Sequence, residues 1–192
     1  ITGSNLLEDV YTFNDFIHNG EEKPLRDQQE VTGLSHKVPY LVTEFNGHMY
    51  PTKRFDQEER QMEHSLRYLR ILNAAGLDDS ISGTIGWCAF DYNTHKDFGS
   101  GDRICYHGVM DMFRIPKFAS YVYKSQISPE IEPVLEPVTF WARGERSIGG
   151  VIPLVIYTNC DYLQLQFGKE KLEEKIYPRK DEYKGVSYPP VI

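Results

Sequence analysis

Residues 38–92 constrain the fold more than any other part of the sequence, because they spell strand, helix and strand in succession. Val38-Pro39-Tyr40-Leu41-Val42-Thr43 is a short apolar, β-favouring run, the pattern of a strand buried on both faces. A polar loop with Gly47 and Pro51 follows. Asp56 then stands three residues before Glu59, the spacing of a capping box with Asp in the Ser/Thr place. Met62, Leu66, Leu69 and Leu72 recur at steps of 4, 3 and 3 and draw one apolar stripe along the predicted helix. Glu58 and Glu59 near its start and Arg67 and Arg70 near its end suit the helix dipole, and Glu63 can pair with Arg67 one turn on. Gly76 is the natural stop. A second strand is predicted over residues 81–90, with Gly83 and Gly86 inside it. This order makes a βαβ unit, which implies parallel strands and a right-handed crossover, and so an α/β fold class.

The flanks are less regular. Residues 9–13 could form another strand, and residues 20–31 read as a charged loop. A helix is predicted over residues 116–126, with Pro116 in its first turn and Phe118, Tyr121, Val122 and Ser125 along one side. The composition shifts at Ser128, where Pro129, Pro133 and Pro137 fall four apart and predict an extended linker. Strand-like pieces follow at residues 138–142, 151–158 and 162–167. The last alternates strictly, with Leu163, Leu165 and Phe167 on one face. Residues 169–175 are a charged patch, and residues 188–192 look like the start of another strand with no partner left in the chain. Residues 1–127 and 128–192 are therefore expected to be two units, the second a small β-sandwich. It is shorter than the roughly 100 residues of a complete immunoglobulin-like sandwich.

Composition excludes several classes. With 28 acidic against 21 basic residues the net charge is −7, which argues against a nucleic-acid partner. No apolar run reaches about 18 residues, so no membrane span is predicted. The 3 cysteines are widely spaced without a CxxC pair, which predicts free thiols in a reducing compartment and a cytoplasmic location. The 6 histidines lack metal-ligand spacing, and the loop at Gly99 and Gly101 lacks the Lys-Ser/Thr of a phosphate cradle. Neither metal nor cofactor is expected. The chain starts without Met or a signal pattern, which predicts processing or a piece of a longer protein.

Glu44 ends the first predicted strand, and the carboxyl ends of parallel strands are where α/β folds do their chemistry. The alternative is a solvated loop glutamate. Trp87 lies at the same end of the next strand, and an aromatic plate beside a carboxylate suits the apolar C–H face of a pyranose. Asp91, Asn93 and His95 follow it and supply hydrogen-bonding groups for hydroxyls, while Asn46 and His48 follow Glu44. Taken alone, Trp87 reads more readily as a core residue, and the case for a site rests on the two strands together. Tyr11, Asn14 and Asp15 form a third set, in which a Tyr at a strand end could hold a carboxylate ionised or simply pack.

At these motifs the sequence resembles glycoside hydrolase family 2, and within it the bacterial β-galactosidases. The resemblance runs from Leu6-Leu7-Glu8-Asp9-Val10-Tyr11 through Thr43-Glu44-Phe45-Asn46-Gly47-His48 to Gly86-Trp87-Cys88-Ala89-Phe90-Asp91-Tyr92-Asn93-Thr94-His95. It continues in Gly101-Asp102-Arg103-Ile104-Cys105-Tyr106-His107-Gly108-Val109-Met110-Asp111 and Tyr157-Thr158-Asn159-Cys160-Asp161.

The resemblance implies the C-terminal portion of a (β/α)8 barrel, with residues 38–44 as strand seven, residues 81–90 as strand eight and Tyr11 near strand six. Residues 128–192 would then open an immunoglobulin-like β-sandwich. It implies a retaining hydrolase of terminal β-galactosides in which Glu44 is the nucleophile and Trp87 lines the sugar site. Tyr11 would bond Glu44, and Asn46, His48, Asp91, Asn93 and His95 would bind substrate.

Retaining hydrolases need a second carboxyl group about 5–5.5 Å away as acid/base. In the family it follows an Asn on strand four, and this chain has no Asn-Glu pair. The chain therefore looks like a C-terminal slice of a larger enzyme, with a β-galactoside and the remainder of that enzyme as partners. Alone it is expected to be inactive, and to form a homo-oligomer through unpaired strand edges or to unfold partly over residues 128–192. The alternative is a non-catalytic carbohydrate-binding or assembly module.

Overall fold

Three parallel strands carry the rest of the structure. In the computed structural model, which describes residues 8–16, 25–96, 101–141 and 153–192, they are β1 (Tyr11–Asn14), β2 (Tyr40–Glu44) and β3 (Gly83–Thr84). They lie side by side in that order. β2 is the middle strand, and Tyr40 and Val42 on it are fully buried, as its apolar run requires. Tyr11 pairs with Tyr40 at one end of the ladder and Asn14 with Glu44 at the other, with a register shift between Phe13 and Asn14.

Part of the segment read as a charged loop is the short helix α1 (Gln28–Thr32). The Asp27 side chain accepts from the Gln29 N–H to start it, and Gly33 at φ +70° ends it. At five residues it is too short to show a helical period in the sequence.

The crossover helix α2 (Glu58–Gly76) forms where the periodicity predicts it, with three differences. Its first cap residue is Gln57, which makes no capping bond; Asp56 instead accepts from the Lys53 N–H at 2.7 Å and pairs with Arg60, closing the preceding turn. The buried arc is wider than the predicted stripe. Gln61, His64, Ser65, Tyr68 and Ile71 are buried with Leu69, while Met62, Leu66 and Leu72 are partly buried against the core. Gly76 belongs to the last turn and is small for another reason: a Cβ there would collide with the Gly185 carbonyl. The Gly185 N–H donates to Asn73 Oδ1 at 2.7 Å, so a late loop seats on the helix end. Glu63 pairs with Arg67 at 3.0 Å as expected, and also with Arg70 at 2.6 Å.

The strand expected over residues 81–90 pairs with β2 only at Gly83 and Thr84, with a further bridge between Asn46 and Trp87. Residues 88–91 then turn to a later segment. Cys88 donates to the His107 carbonyl, Val109 to that of Cys88, Met110 to that of Ala89 and Asp91 to that of Met110. The short hairpin of β4 (Tyr92–Asn93) and β5 (Ile104–Cys105) extends this pairing, and α3 (Phe118–Lys124) follows within the predicted 116–126.

β6 (Leu135–Pro137) pairs antiparallel with β7 (Ile156–Thr158), and β8 (Leu163–Phe167) with β9 (Glu170–Ile176). β9 falls on the charged patch. Strands were also expected at residues 138–142 and 151–158; residues 142 and 151–152 lie outside the described residues. The tail does have a partner in the chain, because Val191 and Ile156 exchange N–H···O bonds of 2.9 and 3.0 Å. Among the described residues after Ser128, these strands form two separate two-stranded ladders.

The prolines do not detach this region from the rest. Val138, Val155, Tyr157 and Tyr183 share one core with Tyr40, Phe45, Tyr68, Leu69, Phe118 and Val122. Tyr157 is fully buried and its hydroxyl donates to Ser65 Oγ at 3.0 Å. Each side chain the size of Val or Phe buried this way contributes about 1.5–3 kcal/mol. The three cysteines are free, and no described helix is long and apolar enough to cross a membrane.

Candidate active site

The carboxyl end of β2 is built around a bulge. Phe13 pairs with Val42, but Asn14 pairs with Glu44, so Thr43 is the extra residue between them. A bulge of this kind re-aims side chains at a strand end. Here it brings the Thr43 hydroxyl to Asn14 Oδ1 at 3.0 Å, while Asn14 Nδ2 donates to Glu44 Oε2 at 3.0 Å. The Glu44 carbonyl accepts from the Asp15 N–H at 2.9 Å, which ties the two chains just beyond the ladder. Glu44 is half-buried, so its carboxylate is both held and reachable.

Beyond Glu44 the chain turns sharply. Asn46 takes φ +66° and Gly47 φ +50°, a left-handed pair that Asn and Gly tolerate best. A Cβ on Gly47 would stand 3.2 Å from Trp87 Cδ1, so the glycine lets the turn lie against the indole. His48 is exposed on this turn and stacks tilted on Phe16, with ring centroids 4.8 Å apart. Asn46 is buried, and its backbone bridges to Trp87.

Trp87 is 39% exposed, which leaves a usable indole surface. Its Nε1–H donates to the Tyr92 hydroxyl at 3.2 Å, and Tyr92 stands edge-on to both Trp87 and His107. Burial pushes the Tyr92 phenol up to about 12, so it stays protonated. The Tyr68 hydroxyl donates to the Trp87 carbonyl at 3.1 Å from below. Trp87 is thus fixed by a ring partner on one side and a backbone bond on the other. Asn93 and His95, on and just after β4, are exposed.

Two residues named from the sequence sit elsewhere than expected. Tyr11 is buried at the opposite end of the β1–β2 ladder from Glu44, and the side-chain bond to Glu44 comes from Asn14 instead. Three residues along an extended strand is roughly 10 Å, too far for Tyr11 to take that part. Asp91 is not open to a ligand. It is 5% exposed and its Oδ1 lies 2.6 Å from Lys117 Nζ, with the Gly108 N–H on the same oxygen at 2.9 Å. Lys117 is also fully enclosed and donates to the Thr52 carbonyl at 2.6 Å. Burial raises the Asp91 carboxyl and lowers the Lys117 amine, and in each case the partner's charge and hydrogen bond oppose that shift. This pair ties the loop after β2, the loop after β3 and the start of α3 together.

Thr43, Tyr92 and Lys117 are the site residues that sequence reasoning did not single out, while Asn14 stood in the third candidate set without a role of its own. Lys117 left one signal: it caps the N-terminus of α3, where the helix dipole disfavours a cation. Its carboxylate partner is Asp91. Among the described residues no cluster of His, Cys, Asp and Glu could hold a metal ion. The arrangement offers one held, accessible carboxylate with an aromatic plate on the neighbouring strand. That is suited to attack on, or charge stabilisation at, a ring carbon of a polyhydroxylated ligand.

No family model matches the chain. Over its whole length it is 80% identical to a beta-galactosidase of Thermoanaerobacterium thermosulfurigenes, of which it covers 27%. It is 50% identical, again over its whole length, to a beta-galactosidase of Rhizobium meliloti, of which it covers 26%. The chain thus spans about a quarter of the length of the curated relatives it matches. Among solved structures it is similar to a beta-glucuronidase from glycoside hydrolase family 2, with a TM-score of 0.51 at 18% identity over 88% of this chain and 18% of that one. The likeness to that structure is one of fold. The resemblance to bacterial β-galactosidases read from the motifs therefore holds along the full chain.

Proposed function

We propose that this chain is the C-terminal part of the (β/α)8 catalytic domain of a retaining family 2 β-galactosidase, residues 1–127, followed by the start of an immunoglobulin-like sandwich, residues 128–192. The observation that carries this reading is the 80% identity to a beta-galactosidase over all of this chain. The parallel β1–β2–β3 order and the right placement of a carboxylate at the end of the middle strand support it.

In the complete enzyme the Glu44 carboxylate attacks the anomeric carbon of a terminal β-galactoside. The bond to the leaving oxygen breaks through an oxocarbenium-like transition state as an acid elsewhere in the polypeptide donates a proton to that oxygen. Water, deprotonated by the same group, then displaces Glu44 and releases galactose with its configuration retained. Trp87 packs on the sugar's C–H face, and His48, Asn93 and His95, exposed after β2 and on and after β4, bind its hydroxyls. Glu44→Gln in the complete enzyme tests the assignment: it should abolish turnover and leave substrate binding. With Glu44→Ala, azide should restore turnover and yield the inverted glycosyl azide. Retention of most of the kcat in Glu44→Gln would move the nucleophile to another carboxylate.

A further inference from the structure

We propose that Asn14 is a positioning residue for Glu44, and that Thr43 sets the orientation of Asn14. The inference rests on the reading of Glu44 as nucleophile and deepens it. An ionised carboxylate only accepts hydrogen bonds, so the Asn14 group facing Glu44 Oε2 at 3.0 Å must be the Nδ2 amine. A flipped amide would place Oδ1 against the carboxylate, acceptor against acceptor. The Thr43 hydroxyl adds to that preference, because it donates to Oδ1 at 3.0 Å. Its alternative acceptor, the Phe13 carbonyl, is farther away at 3.4 Å.

The register shift after Phe13 makes this relay fit. Without the bulge, consecutive residues Thr43 and Glu44 would point to opposite faces of the sheet. With it, both reach the one amide on β1. The consequence for chemistry is a division of labour within the carboxylate. Oε2 is held by Asn14, which fixes the plane of the group, and Oε1 is left to form the bond to carbon. Neither Asn14 nor Thr43 touches the reacting atoms; both act through Glu44.

The test uses the complete enzyme with an aryl β-galactoside and reads kcat and KM separately, beside thermal unfolding of each variant. Asn14→Ala should lower kcat about 10- to 100-fold with KM changed little, the range expected when one hydrogen bond to a charged group is lost. Thr43→Val, nearly isosteric, should lower kcat about 3- to 10-fold by freeing the amide. Thr43→Ser, which keeps the hydroxyl, should recover most of that loss. The double variant should be no slower than Asn14→Ala alone, because Thr43 acts only through Asn14. If Asn14→Ala fails to fold, the Thr43→Val and Thr43→Ser pair still decides the relay. Unchanged kcat in Asn14→Ala, full additivity in the double variant, or no recovery by Thr43→Ser would each overturn the proposal. A Glu44→Gln control separates the two failures: if it abolishes turnover while Asn14→Ala keeps the full kcat, only the positioning role falls. If Glu44→Gln keeps its kcat, the nucleophile assignment falls first.

Discussion

Glu44 and Asp91 are two acidic residues on neighbouring segments of the same sheet end, and the fold treats them in opposite ways. Among the described residues Glu44 is half-buried and takes one side-chain donor, a neutral amide. Asp91 is enclosed and takes a full counter-charge from Lys117 plus the Gly108 N–H. A carboxylate neutralised by a buried ammonium is a structural tie. Under the proposed function, the one held by a single neutral donor serves as the reagent. The number and charge of the donors, more than the position on the strand, separates the two roles.

The sharpest way to break this comparison is to remove each carboxylate's function in turn. Glu44→Gln in the complete enzyme should reduce kcat by about 10⁴-fold or more while unfolding stays near that of the wild type, as loss of a nucleophile does. Lys117→Met should do the reverse. It strands the Asp91 charge in the interior, and breaking a buried pair from one side costs about 3–5 kcal/mol. Chemical denaturation should show that loss, and pairing Lys117→Met with Asp91→Leu should recover part of it. A stable Lys117→Met with normal kcat would mean that Asp91 is not held by this pair.

His64 gives a smaller test of the same interior. It is fully buried on α2, and burial, with the Lys117 charge next, lowers its imidazole to about 3. The folded protein keeps it neutral while the unfolded chain protonates near 6.5. Stability from this residue is therefore fully present above about pH 6.5 and is lost as the pH falls towards about 3. Replacing it in His64→Gln should flatten the fall in Tm across that window relative to the wild type. An unchanged slope would show that His64 is hydrated or paired in the native state.

The sequence carried the βαβ unit well, because β2 and α2 depend on local period and charge order. It carried the ends of these elements poorly. Residues 81–90 have strand-like composition, but past Trp87 their hydrogen-bond partners lie at residues 107–110, a choice no local pattern encodes. Asp91 read as a sugar ligand because its counter-ion stands 26 positions later, at the start of a helix. Tyr11 reads as the partner of Glu44 only through the family resemblance; the bulge at Thr43 brings Asn14 rather than Asp15 opposite Glu44, and Tyr11 lies three residues before Asn14. Local signals fixed which elements form, and non-local pairing fixed which side chains meet.

The smallest expected signal comes from the 192-residue chain itself. It should give no hydrolysis of an aryl β-galactoside above background, since it contains a nucleophile candidate but no Asn-Glu acid/base pair. Turnover by the isolated chain that disappears in Glu44→Ala would require an acid within these residues.

The most direct measurement is covalent trapping. The complete enzyme is incubated with a 2-fluoro-galactoside bearing an activated leaving group, digested, and the labelled peptide sequenced by mass spectrometry. The account predicts a single fluorogalactosyl ester on Glu44, formed more slowly in Asn14→Ala. A label on any other carboxylate, with Glu44 unmodified, would contradict it.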